Sequence, residues 1–140
     1  MPAPIIDILA SGRLKEPYWE AACAEYAKRL SRFCRLYIAE APDHKQPPAA
    51  PKGAFVVALC SEGEMLSSEG FAARLSGWLE KGRVSFLIGG SNGLSDEAKA
   101  AAAFRLSISR MTWPHHMARA MLLEQIYRAF TIRSGGKYHK

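Results

Sequence analysis

Strand-length apolar runs, set apart by crossover-length segments, constrain this chain more than any other feature. Pro4–Ala10, Arg35–Glu40, Ala54–Cys60, Arg83–Ile88 and Arg105–Ser109 each carry enough apolar or alternating residues for one strand. Helical patterns lie between most of them, and a helix between two strands returns the chain to the same end of a sheet. The predicted fold class is therefore α/β, a mainly parallel sheet with helices on both faces. Ala54–Cys60 is the most hydrophobic run and is expected at the centre, buried on both sides. A chain of 140 residues makes one domain, 1–140, with a core that needs no staples.

The helices announce themselves by their ends and faces. Pro17 fits a first turn, where its missing N–H leaves nothing unpaired. Trp19, Ala22, Cys23, Tyr26, Leu30 and Phe33 then recur on one side, with Lys28, Arg29 and Arg32 on the other and Arg35 just beyond. Ser67 or Ser68 caps a second helix, with Phe71, Leu75, Trp78 and Leu79 on its apolar face and Lys81-Gly82 as its stop. Ser95 caps a short third helix, whose Asp96 and Glu97 complement the dipole. The last helix, from about His115 to Ile132, is apolar around most of its circumference, which predicts a partner chain as well as its own sheet for cover. Ala41–Gly53, with four prolines and almost no large apolar residue, reads as a surface loop in which His44 is simply solvated.

The net charge of +6 fits a polyanionic partner, since clustered Lys and Arg displace counterions from phosphates. The three cysteines have no C-x-x-C spacing, so they read as reduced residues of a cytoplasmic protein. The run at Pro4–Ala10 is interrupted by Asp7 and lacks a basic segment before it, unlike a signal peptide, and no transmembrane run is present.

In a parallel sheet, ligands bind beyond the carboxyl ends of the strands. Three segments leave such ends: Leu59–Gly63, with a turn at Ser61–Glu64, Gly89–Leu94, and Ser109–Pro114. Gly89-Gly-Ser-Asn-Gly93 matches neither a P-loop nor G-x-G-x-x-G, so its glycines serve close approach to a flat ligand or a tight turn. Ile108–Trp113 sets backbone polar groups beside apolar side chains, a combination that suits a purine ring. His115, His116 and His139 lack a Cys or carboxylate at ligand spacing, so no metal is expected.

Leu87-Ile-Gly-Gly90, Gly93-Leu-Ser95, Met111-Thr-Trp-Pro-His115, Glu124-Gln-Ile-Tyr-Arg-Ala-Phe130 and Tyr138-His-Lys140 together resemble the RlmH family. These are the large-subunit (23S) rRNA pseudouridine N3-methyltransferases of the SPOUT superfamily. Arg13–Trp19 and Leu66–Phe71 resemble it too, so the likeness covers nearly the whole chain. One departure is the proline-rich Pro42–Gly53 loop, which stands where the family has a helix and shortens one face of the sheet.

The resemblance implies a C-terminal deep trefoil knot, a homodimer with two sites near the interface, and S-adenosylmethionine as cofactor. Leu59, Gly89 and the run Ile108, Ser109, Arg110, Met111, Thr112 and Trp113 would contact that donor. The substrate would be a pseudouridine in large-subunit rRNA on the assembled ribosome. His139, helped by Tyr138, would take the N3 proton, and Arg128 would stabilise the resulting anion. The tail would thus complete the donor pocket. Arg13, Lys15, Lys28, Arg29, Arg32, Arg133 and Lys137 are the expected RNA contacts. Two rival readings share the fold: a ribosome-binding or assembly factor without catalysis, and a methyltransferase of another RNA such as tRNA.

Overall fold

The computed structural model describes residues 2–140. Its strands are β1 (Ile5–Ser11), β2 (Arg35–Ala41), β3 (Phe55–Met65), β4 (Val84–Ile88) and β5 (Phe104–Ser107). Its helices are α1 (Pro17–Leu30), α2 (Ser68–Lys81), α3 (Asp96–Ala101) and α4 (His115–Arg133). The strands form one sheet in the order β2-β1-β4-β3-β5, and every neighbouring pair is parallel. The central strand is the wholly buried β4 and not, as expected, the most hydrophobic run: β3 lies between β4 and the edge strand β5, and of Ala54–Cys60 only Val57 and Ala58 are fully buried.

Side chains alternate across the sheet. Ile6, Ile8 and Ala10 of β1 join Val57, Phe86 and Leu106 in the main core, which also takes Cys23 and Leu30 from α1, Phe71, Leu75 and Trp78 from α2, and Leu122, Leu123 and Ile126 from α4. Removing the fully buried Phe86 ring would cost about 3–5 kcal/mol. The opposite face holds only a small cluster of Leu9, Ala58, Leu87 and Leu94, roofed by Ala98 and Ala102 and by Ala50 of the proline-rich segment. Helices thus lie on both faces, as expected, but in unequal measure. The short α3 and an irregular strap do the work of a layer on the thin side.

On that thin side Asp7, 3% exposed, accepts hydrogen bonds from Arg83 Nε at 3.0 Å and Nη2 at 2.7 Å, and from Ser85 Oγ at 2.7 Å. A carboxylate in the middle of an apolar strand is tolerable only when its oxygens are satisfied in this way. Cys23, Cys34 and Cys60 are free thiols, and burial pushes that of Cys34 up to about 11.

Two strand boundaries differ from the sequence reading. Ser61–Glu64 is not a turn that ends β3. Leu59 and Glu64 both pair with Leu106, so Cys60–Gly63 bulges outward and the strand resumes to Met65. Gly63 permits this, because a Cβ there would stand 2.7 Å from the backbone of Arg105. The fifth strand covers 104–107 instead of 105–109, leaving Ile108 and Ser109 to the following loop.

Helix α4 lies between α1 and α2 against the sheet, and Ala120, Leu122, Leu123, Ile126 and Ala129 are buried by the chain itself. Its wide apolar circumference is thus largely covered from within, with Met121 left 37% exposed. Arg119, 2% exposed, reaches from this helix to Glu40 Oε2 at 2.7 Å and to the Gly12 carbonyl at 3.2 Å. No helix among the described residues is long and apolar enough to cross a membrane.

Candidate active site

All five strands point their carboxyl ends to one edge, and three chain segments meet above it. The first is the bulge after Leu59. The second is Gly89–Leu94, which follows β4. The third, Ile108–Pro114, leaves the edge strand β5 and passes over the ends of its neighbours until His115 reaches Gly12 at the end of β1. The contact is close: a Cβ on Gly12 would lie 2.8 Å from His115 Cε1. Three strand spacings amount to roughly 14 Å, which a seven-residue extended segment can bridge.

The three segments enclose one cavity lined by Leu59, Cys60, Ser61, Glu62, Ile88, Gly89, Gly90, Ser91, Gly93, Leu94, Lys99, Ile108, Ser109, Met111, Thr112, Trp113, His115 and Ala118. Leu59, Ile88, Leu94, Ile108 and Trp113 supply apolar walls. Glu62 and Lys99 pair at 2.5 Å within the lining. Among the described residues, Ser109–Trp113 make no backbone–backbone hydrogen bond. Met111 N–H is taken by Ser109 Oγ at 3.0 Å, and the Ser109 carbonyl by Ser107 Oγ at 2.9 Å. The remaining amides and carbonyls of this run are left for a ligand with polar edges and apolar faces.

The glycines of the second segment serve the turn. A Cβ at Gly89 would stand 2.5 Å from the carbonyl carbon of Gly93 and 2.6 Å from the nitrogen of Leu94, so the loop closes on itself there. Gly93 adopts φ +72°, a left-handed conformation in which a side chain is strained.

Arg110, expected beside the donor, does not line the cavity. Its Nη1 donates to the carbonyls of Ser61 at 2.7 Å and Gly63 at 2.9 Å, stapling the β3 bulge to the third segment. His115 lines the cavity but its Nδ1 is buried without a hydrogen-bond partner. Burial first, then the neighbouring His116, lowers its pKa, against a smaller upward pull from Asp43. His116 packs on Trp19, ring centroids 5.3 Å apart.

Tyr138, His139 and Arg128 come together, but away from this cavity. Tyr138 Oη donates to Glu124 Oε2 at 2.8 Å, and Arg128 makes bonds of 2.6 and 3.1 Å to the same oxygen. His139 stands between Arg128 Nη1 at 3.0 Å and Glu69 Oε2 at 2.9 Å. The Tyr138 hydroxyl is raised well above its ordinary range, by burial first and then by its bond to Glu124.

A second groove lies between the two regions. It shares Ile108 and Trp113 with the first cavity and continues along Leu66, Ser68, Phe71, Met121 and Gln125. Ser68 Oγ donates to Gln125 Oε1 at 2.8 Å, and Gln125 Nε2 donates to Glu124 at 2.9 Å. The tail network thus touches this groove only through Gln125, while Trp113 forms its other wall.

The basic residues expected to meet RNA fall into two groups. Arg13 and Lys15 are exposed beside the β1–α1 turn; Lys28, Arg32, Arg133 and Lys137 are exposed around the far ends of α1 and α4. Arg29 is partly neutralised by Glu25 at 2.8 Å and lies over the rings of Tyr26 and Tyr127. Sequence reasoning missed Asp43, Gln46, Glu69 and Arg119. Only Arg119 left a signal, as a lone cation on a helix otherwise apolar there.

A family model described as a predicted SPOUT methyltransferase matches residues 5–139. The "Ribosomal RNA large subunit methyltransferase H" of Clostridium kluyveri is 43% identical over 157 aligned positions, covering 96% of this chain and 99% of that protein. Among solved structures, a probable methylase family protein from Haemophilus influenzae Rd KW20 superposes with a TM-score of 0.64 at 11% identity, over 100% of this chain and 72% of its own. The SpoU methyltransferase AviRb from Streptomyces viridochromogenes, solved in complex with AdoMet, gives 0.54 at 15% identity, over 98% and 61%.

Proposed function

The chain belongs to the SPOUT methyltransferase family, and on that premise we propose that it transfers the methyl group of S-adenosylmethionine to N3 of a pseudouridine in large-subunit rRNA on the assembled ribosome. The observation that carries the reading is the convergence of Leu59, Gly89 and Ile108–Trp113 on one cleft at the carboxyl edge of the sheet. The fit to the donor rests on the chemistry of that lining. Apolar side chains suit the faces of an adenine ring, and the unpaired backbone groups of Ser109–Trp113 suit its edge. When bound, the donor supplies an electrophilic methyl group on a sulfonium.

The protein's own task is then to hold N3 in line with that methyl and to remove its proton. The groove behind Trp113 is the proposed seat of the base, since it shares Ile108 and Trp113 with the donor cleft and is lined at Gln125, which donates to Glu124 of the tail network. His139 accepts the N3 proton, Tyr138 assists through its place in the same network, and Arg128 steadies the charge left on the base. Arg13, Lys15, Lys28, Arg29, Arg32, Arg133 and Lys137 hold the rRNA backbone.

The proposal extends to a single domain spanning 1–140, a C-terminal trefoil knot made by the third segment and α4, and a homodimer in the cytoplasm with each site near the subunit interface. The aromatic cluster of Tyr18, Trp19 and His116, with the exposed Met111 and Trp113 of the third segment, is the surface offered for that pairing. Calorimetry with S-adenosylmethionine tests the reading: saturable uptake at one site per chain is expected, whereas a ribosome-binding factor without catalysis would take up none.

A further inference from the structure

We infer that Asp43 and Gln46, on the proline-rich segment, are positioning residues for the methyl-donor cleft, clamping the glycine loop that forms one of its walls. The inference rests on the reading of that cleft as a donor site. The sequence marks the segment only as loop.

A loop containing Gly89, Gly90 and Gly93 is expensive to order, because glycine gives up more backbone freedom on folding than any other residue. Within the loop itself one backbone bond is made, from Gly93 N–H to the Gly90 carbonyl at 3.0 Å. Side chains of the strap supply the rest. Asp43 Oδ1 accepts from the Ser91 N–H at 3.0 Å. The Gln46 amide spans the loop exit, accepting from Ser95 N–H at 2.8 Å and donating to the Gly93 carbonyl at 3.4 Å. Hydrogen bonds from Ser91, its hydroxyl before its amide, hold the Asp43 carboxyl below its ordinary range. The fit is tight, since a Cβ at Gly90 would run into the Asp43 carboxylate and stand 2.8 Å from the Asp43 carbonyl.

A clamp must itself be held, and this one is. Ser11 Oγ donates to the Lys45 carbonyl at 2.7 Å, Gly12 N–H to the Ala41 carbonyl at 2.7 Å, and Lys45 N–H to the Pro42 carbonyl at 2.9 Å. Pro42, Pro47, Pro48 and Pro51 restrict the unfolded segment, so less entropy is lost when it docks. The strap thus runs from the end of β2 across the end of β1 to the loop, and Gly90, Ser91 and Gly93 in turn line the cleft. A segment too short and too rich in proline for a helix still fixes the loop, through side-chain bonds in place of helix packing.

The test uses the full chain and S-adenosylmethionine alone, without RNA. Asp43→Ala and Gln46→Ala should each weaken donor binding by about tenfold, the scale of one charge-assisted or bridging hydrogen bond. Asp43→Asn, which keeps an oxygen to accept from Ser91, should recover most of the affinity. The KM for donor should rise more than kcat falls, with thermal midpoints close to wild type. Wild-type affinity in both alanine variants would overturn the inference. If the wild-type chain takes up no donor, the methyltransferase reading fails, and amide exchange decides the clamp separately. Faster exchange at Ser91 in Asp43→Ala and at Ser95 in Gln46→Ala supports it, and unchanged exchange rejects it.

Discussion

His139 Nδ1 lies 3.0 Å from Nη1 of Arg128. A guanidinium can only donate, so Nδ1 must accept, and the ring proton then resides on Nε2, which donates to Glu69 Oε2 at 2.9 Å. In this arrangement the tail histidine turns Nε2–H to Glu69 and its Nδ1 lone pair is engaged by Arg128. To take a proton from a substrate it must give up the Arg128 contact, which Arg128 can exchange for charge on the base.

Truncation after Lys137 should lower methyl transfer by roughly 10²–10⁴-fold, the usual weight of a general base. Donor affinity should be unchanged, because neither Tyr138 nor His139 lines the donor cleft. Glu69→Gln should cost only severalfold, since its amide oxygen can still accept from Nε2–H, and Glu69→Ala should cost more. Single-turnover rates with saturating donor check this ordering, and unchanged turnover after truncation would reject the role of the tail.

Glu40 and Arg119 are unequal partners. The Arg119 side chain is 3% exposed and that of Glu40 29%. Glu40→Ala leaves a buried cation without its carboxylate and should destabilise the fold by about 3 kcal/mol. Arg119→Met removes the cation and strands only a half-solvated carboxylate, so it should cost less. Denaturant midpoints of the two variants check the asymmetry.

His115 makes stability depend on mild acid. Its folded pKa lies below the ordinary value of 6.5, so the unfolded chain binds more protons through the interval between the two values. Stability should therefore be full above pH 6.5 and fall as the pH drops toward the folded pKa. His115→Gln, which cannot titrate, should flatten that slope in thermal melts between pH 7 and pH 5.

Binding to rRNA should weaken by about tenfold or more between low and physiological salt if Arg13, Lys15, Lys28, Arg32, Arg133 and Lys137 meet phosphates. Replacing Lys28 and Arg32 together with Ala should reduce the slope of log affinity against log salt by about two contacts. A flat response would remove these residues from the interface.

Much of this architecture was legible in the residues. The apolar runs Pro4–Ala10 and Arg83–Ile88, the caps Ser67 and Ser95, and Pro17 at a helix start are local signals, and the corresponding elements follow them. The bulge at Cys60–Gly63 was not legible, because it exists only through Leu106 pairing twice with the same strand. Arg110 looked like a donor contact from its place in the loop, yet it turns to the Ser61 and Gly63 carbonyls that the bulge presents. Tyr138 and His139 stood out as a pair, but their distance from the donor cleft depends on where α4 ends against α2. Asp43 and Gln46 carried no sequence signal, since their partners lie 47 to 49 residues away.

The most direct measurement is mass mapping of large-subunit rRNA from cells lacking this protein, before and after the purified chain and S-adenosylmethionine are added to their ribosomes. The account predicts one pseudouridine that lacks an N3 methyl group and regains it on addition. A fully modified rRNA in the deletion strain, or a methyl group regained on tRNA instead, would contradict it.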